Sequence, residues 1–69
     1  MKIEWEDNFK ICVRTDGNSA LISANREGLL SLSRQLKDLA EETPGTHVHY
    51  DEDNSLEEGS SELIIERVE

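Results

Sequence analysis

The segment that decides the fold runs from residue 25 to residue 42 and reads NREGLLSLSRQLKDLAEE. It is the one long stretch with helical periodicity, and Asn25 is a predicted N-cap before its first turn. Polar and charged residues, among them Gln35, occupy one side of this helix. The apolar stripe on the other side, centred on Leu36, consists of Leu29, Leu32, Leu36, Leu39 and Ala40. The sequence therefore predicts one amphipathic helix, ended by Pro44-Gly45, whose stripe packs against the rest of the chain.

The segments on both sides of the helix alternate with the period of a strand. The predicted strands are Lys2–Glu6, Phe9–Arg14, Ser19–Ala24, Thr46–Asp51 and Glu62–Val68. Together with the helix they predict a single α+β domain spanning residues 1–69. Its order is β-β-β-α-β-β, with a mainly antiparallel sheet of about five strands and the helix packed on one face. We expect the strand order 1-2-3-5-4 with a right-handed helical crossover, and strand five beside strand one is the alternative.

Two turns set the predicted register of the first three strands. Asp16-Gly17 is a two-residue hairpin signal, which would place Val13 opposite Ala20, Ile11 opposite Ile22 and Cys12 opposite Leu21. Before it, a three-residue loop at residues 6–8 keeps the apolar faces together. This loop pairs Trp5 with Phe9 and Ile3 with Ile11, and it places Asn8 near the left-handed region.

The net charge of −9 is distributed unevenly along the 69 residues. Residues 1–40 contain six acids and six bases, whereas residues 41–69 contain ten acids and one base, so the second part carries 1 − 10 = −9. Nucleic acids and anionic membranes require basic patches, so the charge argues against both as partners. It favours a basic protein partner.

Compartment and covalent chemistry are bounded by simple features. The single cysteine excludes an internal disulfide, and the start of the chain lacks the apolar core of a secretory signal. No apolar run approaches the roughly 20 residues of a membrane span. We therefore predict a cytoplasmic protein.

Candidate chemical sites are few. His47, His49 and Asp51 lie on one face of a predicted strand, and imidazole and carboxylate groups are suitable ligands for zinc. This run lacks an obvious fourth ligand, and two surface histidines are the alternative interpretation. No serine or cysteine has a base and an orienting acid at a recognisable spacing. We predict no enzyme, no catalytic residue and no cofactor.

Two segments together carry a family resemblance. Residues 22–42, ISANREGLLSLSRQLKDLAEE, are followed by residues 47–68, HVHYDEDNSLEEGSSELIIERV. This pair resembles the bacterial family named immunity protein 32. The first motif is the helix opening from Ser23 to Leu32, and the second contains His47, His49, Asp51 and the run from Ser55 to Ser60.

The resemblance implies a non-enzymatic immunity protein that binds and neutralises a cognate toxin of a bacterial polymorphic toxin system. Acidic charge suits a basic toxin domain, because complementary charge accelerates association. We predict that the partner-binding residues are Tyr50 and Leu56 as anchors, with the acids Asp51, Glu52, Asp53, Glu57 and Glu58 around them. Two alternatives stay open: a small metal-binding module using the histidines, and a structural or regulatory domain that forms a homodimer through a sheet face or edge.

Overall fold

The computed structural model describes residues 1–69 and has an α+β fold. Its elements are β1 (Ile11–Asp16), β2 (Ser19–Ala24), α1 (Arg26–Ala40), β3 (His47–Tyr50) and β4 (Leu63–Glu66). The predicted fold class is confirmed, but the single sheet of about five strands is wrong. The strands instead form two antiparallel two-stranded sheets, β1-β2 and β3-β4. Neither the predicted order 1-2-3-5-4 with its right-handed helical crossover nor the alternative, with strand five beside strand one, occurs.

Residues 1–6 do not form the predicted first strand, because side chains of the helix form hydrogen bonds with the backbone of residues 4 and 6. The hydroxyl of Ser31 accepts a hydrogen bond from the Glu6 amide at 2.8 Å. The side-chain amide of Gln35 donates to the Glu4 carbonyl at 2.8 Å. A backbone bonded to helix side chains cannot at the same time make a sheet ladder with those groups.

The turn after this segment follows the prediction in part. Asn8 has a φ of 65°, in the left-handed region as expected. Trp5 and Phe9 meet as predicted, with their rings stacked 4.3 Å apart between centroids. The predicted ladder pairing of Ile3 with Ile11 is absent, because no strand precedes β1.

The β1-β2 hairpin turns at Gly17-Asn18, one residue later than predicted. Among the two turn residues only Gly17 has positive φ, 58°, as the type II′ turn requires of its first central residue. Val13 therefore pairs with Ile22, and Cys12 pairs with Ser23 rather than Leu21. The shift is two residues, so every side chain keeps its predicted face.

The core lies between α1, β1 and the residues around β3. Its buried cluster consists of Ile11, Val13, Leu32, Tyr50 and Leu56. The helix turns a different face to this core than its leucines predict: Gln35 is 2% exposed and Leu36 is 45% exposed. The prediction that Leu36 centres the buried stripe is therefore wrong. Ser31 and Gln35 can be buried because each has hydrogen-bond partners, which apolar periodicity does not register.

The start of α1 is tied to the chain before β1. Asn25 caps the helix as predicted, since its side-chain oxygen accepts from the Gly28 amide at 2.8 Å. The same oxygen accepts from the Lys10 amide at 3.0 Å. A Cβ on Gly28 would stand 2.6 Å from the Lys10 carbonyl oxygen, so only glycine permits this close crossing.

Residues 57–61 lie between β3 and β4 in the chain and run along the outer edge of β1, where hydrogen bonds link the two sheets. The Glu57 amide donates to the Ile11 carbonyl at 2.8 Å, and the Ser61 amide donates to the Val13 carbonyl at 2.8 Å. The Ser60 hydroxyl accepts from the Val13 amide at 3.2 Å. The segment between β3 and β4 is thereby fixed to the central strand of the core.

Candidate functional site

The acidic loop, defined as residues 51–58, is a compact turn held by its own side chains. The Asp51 carboxylate accepts from the amides of Asp53 and Asn54 at 2.9 and 3.1 Å. The side-chain oxygen of Asn54 accepts from the Asp51 amide at 3.2 Å, and its NH2 group donates to the His49 carbonyl at 3.1 Å. Closing bonds of this kind are typical of Asx turns, and they order the loop without a partner.

The five predicted acids of the loop fall into two groups. Asp51 caps the turn, and the carboxylate of Glu52 accepts from the Gly59 amide at 2.8 Å. Asp53, Glu57 and Glu58 are exposed, and their carboxylates make no hydrogen bond or ion pair within the chain. The ion pairs of the molecule all lie outside the loop. The loop therefore presents negative charge that nothing in the fold neutralises.

The structure places Tyr50 and Leu56 in the core, where they are 2% and 6% exposed. The Tyr50 hydroxyl donates to the Gln35 side-chain oxygen at 2.8 Å, and burial raises the pKa of this tyrosine above its usual 10.0. Side chains this buried offer a partner very little surface in this conformation. They anchor the acidic loop to the molecule instead.

An apolar groove of about 280 Å³ lies beside the acidic loop. It is lined by Ile3, Trp5, Val48, His49, Tyr50 and Asn54. Strand periodicity directs the apolar residues of a strand toward the helix, so it does not assign Ile3, Trp5 or Val48 to a surface site. The alternation of Ile3 with Trp5 was the available signal, but it cannot show that residues 1–6 leave the sheet.

The residues proposed as metal ligands are close but engaged elsewhere. The rings of His47 and His49 are 5.0 Å apart between centroids. His49 Nδ1 lies 3.3 Å from a carboxylate oxygen of Glu62, and the Asp51 carboxylate is bonded to loop amides. The structure brings no three His, Cys, Asp or Glu side chains together as a metal-binding group.

A second groove, of about 460 Å³, is lined entirely by polar and charged residues. Its lining residues are Lys2, Glu4, Arg34, Gln35, Lys37, Asp38 and Glu41. Its three bases and three acids balance, so it has no net charge that would attract a charged partner. The only helix, α1, is too short and too polar to cross a membrane.

Fold and site together describe a small acidic α+β domain with a surface suited to binding another protein. The family model for immunity protein 32 matches residues 19–68, and the chain belongs to this family. The match confirms the resemblance seen in the sequence and covers β2, α1, β3, the acidic loop and β4. No curated protein and no solved structure matches the chain. Family membership indicates a role in neutralising a toxin, and hence a protein as partner.

Proposed function

We propose that this chain is a non-enzymatic bacterial immunity protein that binds a cognate toxin in the cytoplasm through the acidic loop. The observation that carries the proposal is the set of exposed carboxylates at Asp53, Glu57 and Glu58, none of which has a partner within the fold. Mutual repulsion between these charges destabilises the free domain, so stability does not account for them. A basic partner does.

The loop is suited to fast recognition because it is already ordered. Its turn is closed by Asp51, Glu52 and Asn54, and it is fixed to the core by Tyr50, which precedes it, and by Leu56 within it. A preorganised loop loses little conformational freedom on binding. Complementary charge raises the rate of encounter, and rapid capture protects a cell that makes or receives the toxin.

The apolar groove supplies the contact that charge alone cannot. Protein interfaces combine an apolar centre with a polar rim. Here Ile3, Trp5 and Val48 offer apolar surface, and the acidic loop stands at the side of the groove through Asn54. We infer that the toxin places an apolar side chain in this groove while its basic residues face the loop. The metal-binding alternative lacks an assembled ligand set to support it.

The test is binding kinetics to the cognate toxin at two salt concentrations. The double variant Asp53→Asn/Glu57→Gln should associate several-fold more slowly, and its association rate should depend less on salt, since part of the attractive field is gone. Its free energy of unfolding should stay the same or increase. Ile3→Ala should instead raise the dissociation rate several-fold, because apolar contacts act after encounter.

The matched control is Asp7→Asn/Asp16→Asn. It removes the same number of charges from exposed acids outside the acidic loop that have no ion pair. If the control slows association as much as the loop variant, net charge rather than the acidic loop determines recognition. If neither the loop variant nor Ile3→Ala changes the kinetics, the toxin binds elsewhere and the proposed site is wrong.

A further inference from the structure

The outer edge of β2 has free backbone groups, as the hydrogen bonds of β1 show. The carbonyls of Ile11 and Val13 accept hydrogen bonds from residues 57–61, so the backbone amides and carbonyls of these two residues face away from β2. In an antiparallel pair, alternate residues point to opposite edges. Ile22 is paired with Val13, so its amide and carbonyl also face away from β1. Ala20, two residues before Ile22, faces the same edge. No hydrogen bond to another part of the chain takes up these groups.

This edge also lacks the features that keep an edge strand single. Natural edge strands carry charges, proline or bulges that prevent pairing with another strand. β2 reads SALISA, without a charged residue or proline, and it pairs with β1 residue for residue without a bulge. The other sheet differs, because β4 ends in Glu66 and is preceded by Glu62. Leu21 is the most exposed large side chain of β2, at 56%.

We propose that β2 is a self-association edge, where it pairs antiparallel with β2 of a second copy of this chain. A two-fold axis at Leu21 places this residue opposite its counterpart. It also places Ala20 opposite Ile22 of the other copy, so that the free amides and carbonyls of both strands are paired. An interface of this type is isologous, since the same strand serves both sides. The two sheets join into one four-stranded sheet with the order β1-β2-β2-β1.

The lack of charge on β2 favours a second copy of the chain, rather than a charged protein, as the partner of this edge. β2 carries no charge, and it lies within residues 1–40, whose acids and bases cancel. Nothing on this edge attracts a basic toxin, whereas the uncharged edge of a second copy matches it in length and hydrogen-bond pattern. The net charge of −9 on each chain still repels at a distance. Salt screens this repulsion, so self-association strengthens with salt, whereas binding of a basic toxin weakens.

Sedimentation equilibrium of the full chain over a concentration series tests the proposal, at low and at high salt. The average mass should rise toward twice that of the chain, and at lower concentration when salt is high. Leu21→Lys should keep the protein monomeric throughout, because it places a charge at the two-fold axis. Ile64→Lys is the matched control, since Ile64 is 52% exposed on the other sheet, and it should associate as the parent does.

Cross-linking tests the register directly, with Cys12→Ser as the common background. Residues facing each other outside the hydrogen-bonded pairs have Cα atoms about 4.5 Å apart, within the range of a disulfide. Leu21→Cys should therefore form a disulfide-linked dimer under mild oxidation. Ser19→Cys should not, because four strand residues separate it from alignment with its counterpart, about 14 Å.

Three results would overturn the proposal. One is a monomer at every concentration and salt, and another is equal cross-linking of the two cysteine variants. The third is loss of toxin binding in Leu21→Lys, which would make the edge of β2 a toxin contact. Because the toxin kinetics use other residues, either proposal can fail while the other holds.

Discussion

At the scale of single residues, the buried pair Tyr50 and Gln35 organises the junction between α1, β3 and the chain before β1. The Gln35 side-chain oxygen accepts from the Tyr50 hydroxyl, and its NH2 group donates to the Glu4 carbonyl. Both residues are buried, and no buried side-chain polar atom in the protein lacks a partner. A polar group can occupy a core at little cost when its bonds are complete, but losing one partner is expensive.

Tyr50→Phe removes the hydroxyl and leaves the Gln35 oxygen buried without its donor. We expect a loss of about 1–3 kcal/mol in the free energy of unfolding at neutral pH. The alkaline behaviour should change too. Burial raises the folded-state pKa of Tyr50 above 10.0, so the folded state retains this proton to higher pH than the unfolded state. The stability that this contributes is complete below pH 10 and is lost as pH rises through the folded pKa.

Urea denaturation at neutral pH and at alkaline pH measures both effects. The parent should lose more stability than Tyr50→Phe over the same rise in pH, because the variant lacks this ionisation. All other side chains are the same in the two proteins, so the comparison isolates the tyrosine. An equal loss in parent and variant would show that Tyr50 titrates alike in the folded and unfolded states.

At the scale of elements, the helix shows how polar contacts rotate an amphipathic face. Its buried residues are Gly28, Ser31, Leu32, Gln35 and Leu39. Residues 4–6 bond to Ser31 and Gln35, and this contact draws that side of the helix inward. Leu29 and Leu36, two turns apart on the adjoining side, are consequently left exposed.

The two leucines at positions 32 and 36 should therefore respond differently to truncation. Leu32 belongs to the core cluster, so Leu32→Ala should cost roughly 2–5 kcal/mol through lost burial and a cavity. Leu36 is half exposed, and Leu36→Ala should cost less than about 1 kcal/mol. Denaturant melts of the two variants, which make the same chemical change four residues apart, provide the comparison. Similar losses would mean that the buried face of the helix is the one centred on Leu36, rather than the one that contains Ser31 and Gln35.

At the scale of the whole molecule, the core depends on residues outside the family match. The match begins at residue 19, whereas Ile11 and Val13 of β1 are both fully buried. β1 is bonded to β2 on one edge and to residues 57–61 on the other, so it joins the two halves of the chain. Hydrogen bonds from residues 57–61 to this central strand fix the position of the acidic loop.

A fragment of residues 19–68 should consequently fail to fold. It lacks β1, the only strand within the chain that pairs with β2, and it lacks Trp5 and Phe9, which pack against the core cluster. Small domains have little stability to lose, since a chain of about 60 residues buries only about 60% of its unfolded surface. Far-ultraviolet circular dichroism with thermal melting should show no cooperative transition for the fragment and a clear one for the full chain. A cooperative melt of the fragment would show that the region matched by the family model contains a complete core.

The sequence by itself determined the features that depend on neighbours along the chain. These are the helix with its Asn25 cap, the left-handed Asn8, the faces of the β1-β2 hairpin and the concentration of acids after residue 50. Local backbone preferences and side-chain periodicity decide such features, so a single sequence is enough to predict them. Even the family could be identified from the motifs on either side of residue 45.

Only the tertiary structure decided which surfaces meet. It moved residues 1–6 from a sheet onto the helix, placed residues 57–61 against β1, and divided the strands into two sheets. It also buried Tyr50 and Leu56, which left Ile3, Trp5 and Val48 to line the groove beside the acidic loop. The physical reason is that these outcomes depend on hydrogen bonds between residues 25 to 48 positions apart, such as Glu6 with Ser31 and Val13 with Ser61. Periodicity along the chain contains no information about such distant partners.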